Sequence, residues 1–196
     1  LIGEIRDRET MQAAIAYAQT GHLCLATLHA NNSYHALNRI INFFPLENRT
    51  ALYLDLSASL KAIISQRLVK RPNGQRLPTA EVLLNTRHIQ ELIERGEVLA
   101  IKEAMEQSLA PGSQTFEQDL FRLYRDGTIT LDEALGNADS PTNLSWLINN
   151  SEITSPHGKD EKASETALEF SETNSSGTSF KEFTLSLDEA PENEEN

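Results

Sequence analysis

Cysteine is almost missing: Cys24 is the one such residue among 196. A disulfide framework within the chain and a four-cysteine zinc module are thereby excluded, and a reducing compartment is the simplest setting. Long apolar runs are missing too, and none approaches the roughly 18 residues that a membrane-spanning helix needs. The opening residues carry no signal-peptide pattern, because a charged stretch follows Leu1-Ile2-Gly3 at once. Basic charge is scarce: 17 Lys and Arg stand against 29 Asp and Glu, a net charge of −12. Nothing resembles the basic stripe that phosphate-backbone binding uses, so nucleic acid is not an expected partner.

The acidic excess is uneven. Residues 1–150 carry 14 basic against 17 acidic side chains, whereas residues 151–196 carry 3 against 12. From Ser151 onward the chain is mostly Ser, Thr, Glu, Asn and Lys with scattered apolar residues, a composition that predicts a disordered acidic tail. One stretch inside it, Phe180 to Leu187, is apolar enough to dock on a partner or on the body of the protein. What remains is an ordinary soluble composition, 39% hydrophobic, long enough for one sizeable core.

Alternating elements are expected at the front. Leu1-Ile2 reads as a strand end, and Arg8 to Gln19 as a helix with Met11, Ile15 and Ala18 on one face and Gly21 as its terminator. Leu23 to Leu28 is a continuous apolar run, as in a strand buried on both faces. Asn31, Asn32 and Ser33 can cap a helix carrying Leu37, Ile40, Ile41 and Phe44 before Pro45. A further helix is expected from about Glu47 to Ile64, with Leu52, Leu56, Leu60 and Ile63 inward. A hairpin follows, Arg67–Arg71 and Gln75–Leu84 around Pro72-Asn73-Gly74. This order predicts an α/β body with a parallel sheet and a crossover helix. Beyond Asn85 the signals are helical: Ile89–Arg95, Val98–Leu109, and two capping-box spacings at Thr115/Gln118 and Thr130/Glu133. Residues 115–148 are expected to form a small helical appendage around Phe116, Leu120, Leu123, Leu135 and Trp146.

Two stretches carry candidate chemistry. In Leu1-Ile-Gly-Glu4-Ile-Arg6-Asp7 a carboxylate stands just past an apolar strand, where doubly wound folds bind ligands. A glutamate there can align an attacking water beside a magnesium ion, while the plain alternative is a helix start with Asp7 at its N-terminus. The second stretch runs from Thr20 to Asn32 and holds His22 and His29. If the segment between them is a strand, the two lie about 23 Å apart and face opposite ways, so one metal cannot bridge them. His29 falls at the carboxyl end, like Glu4; there an imidazole can donate to a γ-phosphate or to its attacking water. Arg39 and Arg67 are further candidates for phosphate contact, against ordinary surface or interface pairing. Cys24 reads as a small core residue, and Tyr17, Tyr53 and Tyr124 as packing.

Taken in order, Ile2 to Thr10, Thr20-Gly-His-Leu23, Thr27-Leu-His-Ala-Asn31 and Asn38 to Pro45 closely resemble the secretion ATPase superfamily. Within it they are most similar to the type IV pilus retraction ATPases of the PilT/PilU kind, on the PilU side. Ser65 to Val69, Ala80 to Asn85 and Gly96-Glu-Val98 continue the likeness, which covers about residues 1–148. The resemblance implies a RecA-like P-loop ATPase core over residues 1–85, a helical region over 86–150 and the tail over 151–196. It implies that Gly3-Glu4 ends an atypical Walker B with Glu4 as the catalytic glutamate. It likewise implies that His22 to His29 is a histidine box in which His29 senses the γ-phosphate. Gly3, Arg6, His22 and Thr27 would then lie near the nucleotide. ATP and magnesium are the implied cofactors, with the metal held through ATP and by no direct protein ligand. The implied assembly is a homo- or hetero-hexamer with a partner retraction ATPase. It meets an inner-membrane platform protein at the cytoplasmic face of the bacterial inner membrane and powers twitching motility.

Two departures shape the expectation. Retraction motors carry Ala-Ile-Arg-Asn-Leu-Ile-Arg-Glu where this chain has His88 to Arg95, with Gln90 and Glu94 in place of the two arginines. That favours the accessory PilU-type role beside a partner motor. No Gly-x-x-x-x-Gly-Lys-[Ser/Thr] loop occurs, so this chain holds no cradle for the β- and γ-phosphates. The resemblance therefore implies the C-terminal portion of a longer ATPase, inactive by itself. Two alternatives stand: a truncated, non-catalytic interaction module of the motor ring, and a type II secretion or pilus-assembly ATPase. The latter commonly adds a four-cysteine zinc module, against which the single cysteine counts.

Overall fold

A computed structural model describes residues 1–152. The chain runs through α1 (Arg8–Gln19), α2 (Ser33–Asn42), a 3-10 turn (Leu46–Asn48), α3 (Arg49–Ser59), β1 (Ala62–Lys70) and β2 (Arg76–Leu84). It continues through α4 (Arg87–Arg95), a second 3-10 turn (Val98–Ala100), α5 (Ile101–Glu106), α6 (Phe116–Arg125), α7 (Leu131–Asn137) and α8 (Pro141–Glu152). The acidic tail expected from Ser151, with its Phe180–Leu187 stretch, lies from residue 153 on outside the described residues.

Local chemistry explains most element ends. Asp7 caps α1 by accepting the Thr10 amide at 2.8 Å, and Gly21 leaves the helix at φ 88°. Asp7 thus does what the plain reading of that turn gave it. Asn32 caps α2 through the His35 amide at 2.9 Å. At α6 the capping box is complete, since Thr115 and Gln118 each take the other's amide. At α7 only half of it forms: Thr130 accepts from Glu133, whose carboxylate turns away to the Lys70 amide at 2.8 Å.

β1 and β2 form a two-stranded antiparallel sheet, in register from Ala62↔Leu84 to Lys70↔Arg76. Its inward face joins two apolar clusters. Leu83 belongs to the larger one, with Ile15, Leu37, Ile41, Leu56 and Ile93. Val69 and Leu77 belong to the second, with Phe116, Leu120 and Leu144. Between these ends the same face is polar: Ser65, Thr79 and Glu81 are buried and Arg67 is half-buried.

Four expectations need correction. The helix expected to reach Ile64 ends at Ser59, because the β-branched Ile63-Ile64 pair joins the ladder opposite Leu83 and Val82. Asn85 then takes the freed carbonyls of Ser57 and Leu60 with its side-chain amide, at 3.0 and 2.8 Å. The strand expected over Leu23–Leu28 is reduced to one parallel bridge, Ile2↔Ala26, with Leu23 and Leu25 exposed and Cys24 half-buried. Burial on both faces takes layers packed on both sides of a strand, and among the described residues none covers Leu23 and Leu25. The Val98–Leu109 helix is a 3-10 turn followed by a short α5, and Leu109 is exposed. Residues 115–148 are no appendage but pack on the hairpin through Val69 and Leu77, and Trp146, 64% exposed, leaves the core to Leu144 and Ile148.

Candidate functional site

The single parallel bridge organises the site. Ile2 donates its amide to the Leu25 carbonyl at 2.8 Å, and Ile5 donates to Thr27 at 3.0 Å. The Thr27 hydroxyl closes the same pair by donating to the Gly3 carbonyl. Two segments of the chain are thus clamped side by side, and whatever follows each of them shares one edge.

Glu4 and His29 meet there. Nε2 of His29 lies 2.9 Å from Oε1 of Glu4, and the Arg6 guanidinium donates Nε to Oε2 at 2.6 Å. The carboxylate is 18% exposed and the imidazole 77%. The Arg6 hydrogen bond holds the Glu4 carboxyl below the ordinary carboxylate value, helped by the charges of Arg6, His29 and Arg39, while partial desolvation pulls the other way. Glu4 is therefore an anion at neutral pH, and an ionised carboxylate only accepts. Nε2 of His29 must accordingly carry the proton in this contact, leaving Nδ1 for another group.

Beside His29 lies an open cavity of about 580 Å³, with Asn31, His35, Asn38, Arg39 and Phe43 in its lining and no carboxylate. Arg39 lies over the Phe43 ring at 5.9 Å, and its buried Nε has no hydrogen-bond partner. Amides, imidazoles and a guanidinium suit an anion. The first turn of α2 offers less than its position promises: Glu81 holds the Ser33 amide at 2.6 Å and Asn32 holds that of His35. A bound phosphate would find those donors already taken.

Of the residues singled out in the sequence, Gly3, Glu4, Arg6, Thr27 and His29 come together. His22 does not: its Nδ1 is 2.9 Å from the Thr20 hydroxyl and its ring meets Tyr17 edge-on at 6.1 Å. Arg67 does not join them: it lies in the polar middle of the hairpin face, where it meets Asp139. His35, Asn38 and Asn42 were missed. Their helical spacing opposite Leu37, Ile40 and Ile41 reads equally well as a solvated face.

The fit to a nucleotide with its divalent cation is one-sided. A carboxylate, an imidazole and an unpaired guanidinium nitrogen supply an edge able to act on a phosphate and on a water. A phosphate cradle is not among them, and among the described residues no group of three or more His, Cys, Asp or Glu could hold a metal.

Comparison with known proteins places the chain in a family. The sequence model of a family described as "Type II/IV secretion system protein" matches residues 1–76. The type IV pilus ATPase PilU of Pseudomonas aeruginosa is 52% identical over 149 residues, covering 76% of this chain and 39% of that protein. The type IV pilus retraction ATPase PilT of the same organism is 34% identical, covering 74% and 42%. A crystal structure of the pilus retraction motor PilT with bound ADP superposes with a TM-score of 0.66 at 35% identity, covering 74% of this chain and 40% of that one. The chain thus spans about two fifths of the length of the relatives it matches. The α/β fold is a partial RecA-like ATPase domain, and the chain belongs to the PilT/PilU-type secretion ATPases.

Proposed function

We propose that this segment supplies the hydrolytic edge of a PilU-like type IV pilus ATPase. The observation that carries the reading is the 2.9 Å contact between Glu4 and His29, made just beyond two bridged segments. Bound ATP with magnesium supplies the phosphoanhydride to be cleaved and the charge that neutralises it. Glu4, kept ionised by Arg6, accepts a hydrogen bond from a water and orients it. His29 shares its Nε2 proton with that carboxylate and turns its exposed ring toward the cavity, where Arg39 faces developing negative charge. The phosphate cradle comes from outside this segment. Residues 1–85 are the core part, and residues 86–150 the helical region that meets the platform protein.

The whole protein works as a homo- or hetero-hexameric ring beside a partner retraction motor, at the cytoplasmic face of the inner membrane, in twitching motility. Its 52% identity to PilU and the Gln90 and Glu94 substitutions support the accessory role. Among the described residues no helix is long and apolar enough to cross a membrane.

The test is ATP turnover by a complete protein carrying this segment. Glu4→Gln is expected to lower kcat by about a hundredfold or more, the usual scale for losing a group that acts in the transition state. His29→Ala should slow turnover more than His22→Ala, since His22 sits with Tyr17 and away from the edge. Undiminished turnover in Glu4→Gln would overturn the assignment of Glu4 as the catalytic carboxylate.

A further inference from the structure

The polar middle of the hairpin face reaches the turn that carries His29. Arg67, on β1, donates Nη1 to the Asn137 carbonyl at 2.6 Å and Nη2 to the Asn31 carbonyl at 3.2 Å. It also pairs with the Asp139 carboxylate and lies over the buried Phe116 ring at 4.0 Å. The other oxygen of Asp139 accepts from the Asn32 side-chain amide at 2.7 Å. That amide has two jobs, because its oxygen caps α2 through His35. One guanidinium and one carboxylate therefore tie the α7–α8 junction to both residues that follow His29-Ala30.

His29 has little else to fix it. Its ring is 77% exposed, and its one polar contact among the described residues is the hydrogen bond to Glu4. A single contact made by so exposed an imidazole does little to hold the ring in one geometry. The Arg67–Asp139 pair is of the strong kind: both side chains are about four-fifths buried, charge-assisted and multiply bonded. Burial of Asp139 opposes its charge, yet the hydrogen bonds from Asn32 and Arg67 outweigh it and keep the carboxyl below its ordinary value.

We propose that Arg67 and Asp139 are positioning residues that set His29 opposite Glu4, so that the helices after residue 116 are latched to the hydrolytic edge through the Asn31–Asn32 turn. The inference rests on the functional reading above for its catalytic consequence, though not for the latch itself. Neither residue touches the cavity beside His29, so the effect must travel through the turn.

Asp139→Ala is the variant of choice, with Asp139→Asn as a smaller change should the first fail to fold. On the 196-residue chain, the His29 Cε1–H resonance should move and amide exchange at Ser33 and His35 should quicken, while exchange in α1 stays as it was. In a complete protein carrying this segment, Asp139→Ala should lower kcat about tenfold with little change in KM, the scale of a small misplacement of a reacting group. In a His29→Ala background it should lower kcat no further. An unmoved His29 resonance, or an equal loss of turnover in the His29→Ala background, would overturn the latch. Full turnover in His29→Ala alone would overturn the catalytic reading instead and leave the resonance and exchange measurements to decide the latch.

Discussion

Gly96 ends α4 with φ 73°, a left-handed conformation that side chains disfavour. Space is short there as well: a Cβ would come 2.9 Å from Cε2 of the half-buried Tyr53. Gly96→Ala should therefore lose about 1–3 kcal/mol of unfolding free energy, read as a lower urea midpoint. Two causes are folded into that loss, and Tyr53→Ala separates them. In that background the steric part disappears and about 1–2 kcal/mol for the left-handed residue remains. Equal losses in both backgrounds would show that Tyr53 yields freely. Glu81 offers a second test at this scale. It is 4% exposed, and burial raises its carboxyl above the usual value, while its bonds to Ser33 and the neighbouring Asp139 and Glu117 act more weakly. Glu81→Gln keeps an acceptor for the Ser33 amide and removes the buried charge. Its Tm should rise by a few degrees at pH 7 and hardly change at pH 4.

At the level of elements, α8 shows how a single turn of phase decides a core. Leu144 and Ile148, one turn apart, are buried in the second cluster, and Trp146 between them faces outward. Leu144→Ala should lose about 2–4 kcal/mol, whereas Trp146→Ala should stay within about 0.5 kcal/mol by urea titration. The opposite ranking would mean that the indole is covered in solution. The sequence favoured Trp146 because a large aromatic is the default core residue, and composition carries no phase when a helix is short. α1 was legible to its ends because Asp7 and Gly21 mark it chemically. α3 was not, since Leu60 and Ile63 keep its apolar rhythm after the chain has already turned into β1. The Glu4–His29 pair was legible from one inference, that both residues end strands on the same side. Arg67 was legible as a residue for phosphate contact or for ordinary pairing, and its partner was not, because Asp139 lies 72 positions away and no local pattern joins them.

Across the whole described body, two apolar clusters flank a polar band that holds its buried carboxylates. Glu81, Glu117, Asp119 and Asp139 all stand in or beside it, answered by Arg67, Lys102 and Arg122. Two of these carboxyls shift in opposite directions. Glu81 is raised above its ordinary 4.5, so its contribution is fully present below that value and is lost as the pH climbs through the folded value. Asp139 is lowered below its ordinary 3.8, so its contribution is present above that value and is lost as the pH falls through the folded one. Together they favour the folded state most between about pH 3.8 and 4.5. The part of the wild-type Tm profile that these two groups carry, read from pH 3 to 8, should therefore decline on both sides of that window. In Glu81→Gln the decline on the alkaline side should flatten, and in Asp139→Asn the decline on the acid side should flatten. If both variants kept the wild-type profile, the pH response would have to come from groups outside the band.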